Sequence, residues 1–222
     1  IQGFLHPSDA PLSSWAQGVL AESRAEVHYA LPSRLHRKLS AKNEPSELIA
    51  LVRMPPDDMA RIPMRALPFV VVVDRSGSPG NLGTLIRSCD ALGVDGLIMT
   101  GHSVDPYDPA AVAATAGSLF ALPVVRAASH RELTGLLERI RNEHGDLQIV
   151  GTSAHATRPV YECGFWRPTV LLIGNETDGL SRAYEELADT MVAIPMHGSA
   201  TSLNVACAAT VLLYEVQRQR AR

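Results

Sequence analysis

Six apolar runs dominate residues 67–222: FVVVVD, GLIMTG, LPVVRA, LQIVGT, TVLLIGNE and TMVAIPM. None alternates apolar with polar residues as a strand with one wet face does, so each must be covered on both sides. The segments between them, NLGTLIRSCDALG, DPAAVAATAGSLF, HRELTGLLERIRNEHG, LSRAYEELA and NVACAATVLLYEVQRQR, carry a helical period instead. Strand and helix in turn predict an α/β domain, a parallel sheet with helices on both faces. Such sheets bind ligands beyond the carboxyl ends of their strands, so chemistry is expected in the loops that follow them.

Residues 1 to about 53 read differently, as two helical stretches (SSWAQGVLAESR and PSRLHRKLSAK) and one short apolar strand, SELIALVRM. Pro55, Pro56, Pro63 and Pro68 follow, with Pro79 beyond them; paired prolines resist both helix and interior strand. The boundary is therefore placed between Met54 and Leu67, giving an N-terminal part with its linker at 1–66 and a larger domain at 67–222. The chain opens IQGFLHPSD, without a methionine and part-way through an element, so further residues are expected before it.

Composition narrows the function classes. An apolar content of 46% supports a packed core. No apolar run reaches the roughly 18 residues of a membrane span, and no charged start leads into an apolar leader. The three cysteines, Cys89, Cys163 and Cys207, fit neither a disulfide framework nor a CxxC metal site, and each reads as an apolar filler in a reducing, cytoplasmic setting. The eight scattered histidines form no HExxH pair, so no metal is expected. Asn175-Glu176-Thr177 matches a glycosylation sequon by accident in such a compartment. Net charge is −3, but two basic clusters stand out. One comprises Arg24, Arg34, Arg37, Lys38 and Lys42; the other, Arg218, Arg220 and Arg222. Solvated faces and RNA-phosphate patches are both open readings of them.

The first strand-to-helix junction, VVVVDRSGSPGNLGTLIRSCDALG, has the layout of a phosphate-holding turn. Its glycines, Gly77, Gly80 and Gly83, are spaced GxxGxxG, not GxGxxG, and the second strand ends in Thr100-Gly101 without an acid at its tip. A dinucleotide site is excluded. On the helix, Leu82, Leu85, Ile86, Cys89 and Leu92 form the buried stripe, while Arg87 projects from the other side over Gly80 and Gly83. A guanidinium near free N–H groups would attract a phosphate. A surface arginine paired with Asp90 or Glu22 is the alternative, and this loop leaves both open. Two more junctions repeat the design. TVLLIGNETDGLS turns through Gly174, Asn175, Glu176 and Gly179 into a helix capped by Ser181. MVAIPMHGSATSLNVACAATVLLYE turns through small residues into a helix beginning near Ser202, itself a candidate cap. Ala206, Ala208 and Ala209 make that last helix slim.

The segments PGNLGTLIRSCDALG, LLIGNETDGLS and IPMHGSATSLNVACAATVLLYE resemble, in order, the three motifs of the SpoU, or TrmH-like, branch of the SPOUT RNA methyltransferases. TAGSLFALPV resembles a further family segment between the first two, and the similarity covers residues 67–220. The pattern is most similar to the antibiotic-resistance 23S ribosomal RNA 2′-O-methyltransferases. The resemblance implies S-adenosylmethionine (SAM) held in a C-terminal trefoil knot, a homodimer with active sites at its interface, and an RNA substrate. The family's cofactor positions fall on Gly174, Ile194 and Leu203, with Asn175 and Met196 beside them and Thr152 at the tip of LQIVGT. Its catalytic positions fall on Asn81, Arg87, Glu176, Ser202 and Asn204. The N-terminal part resembles the carboxyl half of a small α/β ribosomal-protein L30e-like domain, truncated by loss of its opening strand and helix.

The resemblance implies ribose 2′-O-methylation, in which the methyl group must lie in line with an oxygen that loses its proton as it attacks. Arg87 suits a bidentate clamp on a phosphate and a stabiliser of the developing alkoxide. It does not suit the role of base, since a guanidinium stays protonated. The proton is expected to pass to a phosphate oxygen or to water. Asn81, Ser202 and Asn204 would orient the ribose and loops, and Glu176 would brace its turn. His197 is of a suitable type for a general base, with nothing further to support it. Transfer RNA as substrate, and a non-catalytic RNA-binding protein, remain the competing readings.

Overall fold

A computed structural model describes residues 1–40 and 44–221, so Lys42 and Arg222 of the basic clusters lie outside the described residues. The chain divides into two units, Ile1–Pro56 and Asp57–Arg222. The smaller holds strands β1 (Gly3–Pro7), β2 (Val27–Leu31) and β3 (Ile49–Leu51), with helices α1 (Ser14–Glu22) and α2 (Ser33–Ser40). Its sheet has the order β2-β1-β3, with β1 parallel to β2 and antiparallel to β3. Ser13 caps α1 by accepting the Ala16 N–H, and Phe4, Ala16 and Leu48 close a small core. Strands β1 and β2 are absent from the sequence reading. In β2 four of five residues are exposed, so VHYAL carries no buried face to betray it.

The larger unit is a seven-stranded sheet in which every pairing is parallel. In chain order its strands are β4 (Phe69–Asp74), β5 (Gly96–Thr100), β6 (Val124–Ala127), β7 (Gln148–Thr152), β8 (Arg158–Pro159), β9 (Thr169–Ile173) and β10 (Thr190–Ala193). Across the sheet they run β6-β5-β4-β9-β7-β10-β8, so a late strand, β9, lies between β4 and β7. Helices α3 (Pro79–Ala91), α4 (Pro109–Thr115), α5 (Thr134–His144), α6 (Arg182–Leu187) and α7 (Val205–Arg220) connect and cover them. Strand β4 shows why the runs do not alternate. Phe69, Val71 and Val73 pack with α3 and α7 on one face, while Val70 and Val72 pack with α5 and α6 on the other.

Glycine lets α3 and α4 touch: a Cβ at Gly83 would stand 2.4 Å from the Ala111 carbonyl oxygen and 2.5 Å from the Ala114 Cβ. Gly83 therefore serves helix packing, not ligand approach as its place beneath Arg87 had implied; only Gly80 faces open space. Cys89 and Cys163 are buried fillers, and burial pushes the Cys89 thiol well above its ordinary range. Cys207 is exposed and fills nothing. Among the described residues no helix is long and apolar enough to cross a membrane, and no cluster of three or more metal-ligating side chains occurs.

Two expectations change. The break between Pro56 and Asp57 falls within the expected window, but residues 57–66, expected as linker, belong to the larger unit. Ile62 is buried in its second core, over Gly96, where any Cβ would lie 2.7 Å from the Ile62 side chain. Arg139 also holds the segment by donating to the Met59 and Ile62 carbonyls, at 3.0 and 3.2 Å. Arg218 and Arg220, too, are neither free nor merely solvated. Arg218 forks onto Glu215 at 2.7 and 2.8 Å. Arg220 lies 5.0 Å over the Phe69 ring and donates to the carbonyls of Leu67, Phe165 and Arg167 at 2.9–3.0 Å. Burial pulls its guanidinium down to about 10, against the raising influence of Asp95, so it remains charged at neutral pH. Arg220→Ala strips several carbonyls, two of them in part-buried bonds, of a charged donor and is expected to lower unfolding free energy by roughly 2–3 kcal/mol in urea denaturation.

Candidate active site

The loops after β7, β9 and β10 meet at the carboxyl edge of the sheet and, with the first turns of α7, line a cleft of about 420 Å³. All six residues assigned to the cofactor line it: Thr152, Gly174, Asn175, Ile194, Met196 and Leu203. So do two of the catalytic set, Glu176 and Ser202, while Ile173, Leu180, Val192 and Leu212 supply apolar wall. The volume lies within the roughly 300–1,000 Å³ of small-molecule sites, and the mix of apolar wall and few polar groups is typical of them. Thr152 holds its place by donating to the Leu172 carbonyl oxygen at 2.8 Å, which ties β7 to β9 beside the cleft.

The turn after β9 is built around Gly174 and Asn175. A Cβ at Gly174 would stand 2.2 Å from the Gly179 carbonyl carbon and 2.3 Å from the Leu180 nitrogen, so only glycine lets the turn fold back there. Asn175 and Gly179 exchange backbone bonds at 2.9 and 3.1 Å, with Gly179 in the left-handed region at φ +69°. The Asn175 side chain is committed to the same fold. Its oxygen accepts from Thr177 N–H at 2.8 Å and its amide donates to the Arg75 carbonyl at 2.6 Å.

Three of the assigned catalytic side chains form a relay. Asn204 donates from Nδ2 to Asn81 Oδ1 at 3.0 Å, and Asn81 donates from Nδ2 to Glu176 Oε1 at 3.0 Å. Helix α3, the β9 turn and the start of α7 thus share one polar chain at the mouth of the cleft. Asn204 does double duty: its Oδ1 accepts the N–H groups of Ala206 and Cys207 at 3.0 and 3.3 Å, which makes it the cap of α7. The helix starts at Val205, not near Ser202, and Ser202 is left free of capping to line the cleft. Helix α3 starts at Pro79 behind its own cap, Ser78, and presents Arg87 on its exposed side. Arg87 has no hydrogen-bond or ion-pair partner among the described residues, and the pairing with Asp90 does not form. A free guanidinium two turns along the helix that carries Asn81 is available to a phosphate. His197 is exposed and does not line the cleft.

Residues 68–214 match the SpoU rRNA Methylase family. The chain belongs to that family. It is 47% identical over 221 residues to the 23S rRNA (uridine(2479)-2′-O)-methyltransferase of Streptomyces viridochromogenes, covering 99% of this chain and 77% of the relative. It is 30% identical over 189 residues to the 23S rRNA (guanosine(2553)-2′-O)-methyltransferase RlmP of Bacillus subtilis, covering 85% of this chain and 72% of the relative. Among solved structures, the SpoU methyltransferase AviRb from Streptomyces viridochromogenes in complex with AdoMet superposes with a TM-score of 0.92 at 47% identity, over 99% of this chain and 83% of that one.

Set within the SpoU family, the second and third motifs supply two of the loops that line the cleft, and the first, on α3, meets them through Asn81. One pair of residues that supports them escaped the sequence reading. Asp74, buried at the end of β4, accepts the Ser181 N–H at 2.7 Å, and Arg75 next to it reaches the Gly179 carbonyl at 3.1 Å. Their only signal was position: an acid and a base ending a buried strand, directly before a small-residue turn. The two roles of Asn204 can be separated. Asn204→Ala loses the cap and is expected to cost about 1 kcal/mol of unfolding free energy. Asn204→Asp keeps the cap acceptor, loses the donor to Asn81, and should denature within about 0.5 kcal/mol of the native chain.

Proposed function

We propose that this SpoU-family protein uses SAM to methylate a ribose 2′-hydroxyl in RNA, with 23S ribosomal RNA as the substrate class. The observation that carries this is the cleft itself. All six assigned cofactor residues line it, and the Asn204–Asn81–Glu176 relay stands at its mouth. Its size and its balance of apolar wall to polar rim fit an adenosine with a charged tail. Gly174, Ile194 and Leu203, with Asn175, Met196 and Thr152, would hold that cofactor. When bound, it supplies an electrophilic methyl on a sulfonium.

The protein's own groups then have defined tasks. Asn81 is fixed as an acceptor toward Asn204 and a donor toward Glu176, so its second amide hydrogen has a set direction for a ribose oxygen. Arg87 clamps a phosphate of the target nucleotide and stabilises negative charge as it grows on the attacking oxygen. A phosphate oxygen or water takes the hydroxyl proton. The two relatives are named for methylating a uridine and a guanosine of 23S rRNA, so the shared motifs serve the ribose and not the base. A cytoplasmic location accords with that substrate.

The homodimer and the trefoil knot belong to the same proposal. Leu203 before α7, then Cys207, Val211 and Tyr214 along it, face outward at spacings of four, four and three, with Tyr214 58% exposed. Such a stripe beginning inside the cleft loop fits a second copy that completes each site. Tyr214→Glu is accordingly expected to shift the protein to monomer in sedimentation velocity. For the threading, the placing of β9 between β4 and β7 is the supporting feature. The function is tested by transfer of tritiated methyl from SAM to ribosomal and transfer RNA. Label in 23S rRNA is expected; label in transfer RNA alone would move the substrate, and none in either would refute the reading. Arg87→Lys keeps the charge but loses the fork, and a fall in turnover of roughly 100-fold or more is expected. Near-native turnover would rule out the clamp.

A further inference from the structure

We propose that Arg75 is a positioning residue: it holds both ends of the turn at 175–179 against the end of β4, and so sets the affinity of the cleft for SAM. This rests on the cofactor reading above and assigns a residue that none of the three motif segments contains.

Arg75 grips the turn in two ways. Its carbonyl oxygen accepts Asn175 Nδ2 at 2.6 Å, which fixes the start of the turn. Its Nη2 donates to the Gly179 carbonyl at 3.1 Å, which fixes the end. That Gly179 oxygen also accepts the Asn175 N–H at 2.9 Å, so one acceptor closes the turn and ties it to β4 together. Nε of Arg75 lies 3.2 Å from Asp74 Oδ2, and the same oxygen accepts the Ser181 N–H at 2.7 Å, the next residue but one after Gly179. A weaker ion pair reaches the exposed Asp178 at 3.6 Å.

The backbone is shaped for this grip. Arg75 has φ +59°, one of two residues other than glycine with positive φ among those described. Such conformations persist only where the surroundings over-determine them, and they concentrate at functional sites. The surroundings here comply. Gly101 gives up its side chain to the arginine, since a Cβ there would stand 2.8 Å from Arg75 Cγ. The Arg75 N–H is held by the Thr100 carbonyl at 3.0 Å. Arg75 itself does not line the cleft, whereas Gly174, Asn175 and Glu176, on the turn it holds, do. With Nη2 committed to Gly179 and the guanidinium paired with Asp74, it acts through the turn, not on a ligand.

The test is calorimetric titration of SAM into the native protein, Arg75→Ala and Arg75→Lys, with amide hydrogen exchange recorded on each without ligand. Arg75→Ala is expected to raise Kd about tenfold, as the loss of a charged hydrogen bond implies. It should speed exchange at residues 177–181 and leave β5 and β6 protected. Arg75→Lys keeps the charge beside Asp74 but not the Nη2 donor to Gly179, should give a smaller rise, and carries the test if Arg75→Ala does not fold. In methyl transfer, KM for SAM is expected to rise in step with Kd while kcat falls by a smaller factor, a split that general loosening of the fold would not produce. Native-like Kd and exchange in the variants, with SAM bound by the native protein, would overturn the role of Arg75 alone. Failure of the native protein to bind SAM would overturn the cofactor reading and this assignment with it.

Discussion

The close approach of Gly174 to the Gly179–Leu180 peptide governs the site. A methyl group at that α-carbon would overlap backbone atoms that have no room to move, so the turn exists only because residue 174 has no side chain. With the turn folded back, Glu176 is carried to Asn81 on α3, and Asn81 in turn meets Asn204 at the head of α7. Two helices and a turn that are distant in sequence are registered against one another by this steric allowance and two hydrogen bonds.

Asparagine recurs at the joints for a chemical reason. Asn81, Asn175 and Asn204 each accept on oxygen and donate on nitrogen within one amide plane. A carboxylate could take only the accepting half of each arrangement. At Asn204 the two halves serve different levels of structure, one starting a helix and the other aligning the polar chain that runs through Asn81 to Glu176. The start of a helix and the registry of the loops are therefore coupled at a single side chain.

Much of this was legible in the sequence, for identifiable reasons. Strands buried on both faces leave unbroken apolar runs, and β4, β5, β7 and β9 were found from them. The cleft residues were placed by small-residue turns after those strands and by family resemblance together. What was not legible has no linear signature. The order β6-β5-β4-β9-β7-β10-β8 depends on which strand slides between which, and β8 is only two residues long. Ser202 and Asn204 are both good caps by type, and only geometry chose Asn204. Arg220 reads as a surface charge because carbonyl groups from residues 67, 165 and 167 gather around it only in the folded sheet. Asp74 and Arg75 look like the polar end of a strand until the turn they hold is in place.

Arg220 also imposes an order on assembly. Its carbonyl partners come from the segments leading into β4 and β9, and the first of them is separated from it by 153 residues. A nascent chain whose residue 220 is still inside the ribosomal tunnel can pair its strands but cannot fasten their amino-terminal edge. The unit is thus latched at one edge by a side chain that emerges after every strand it fastens, and the latch is a single cation.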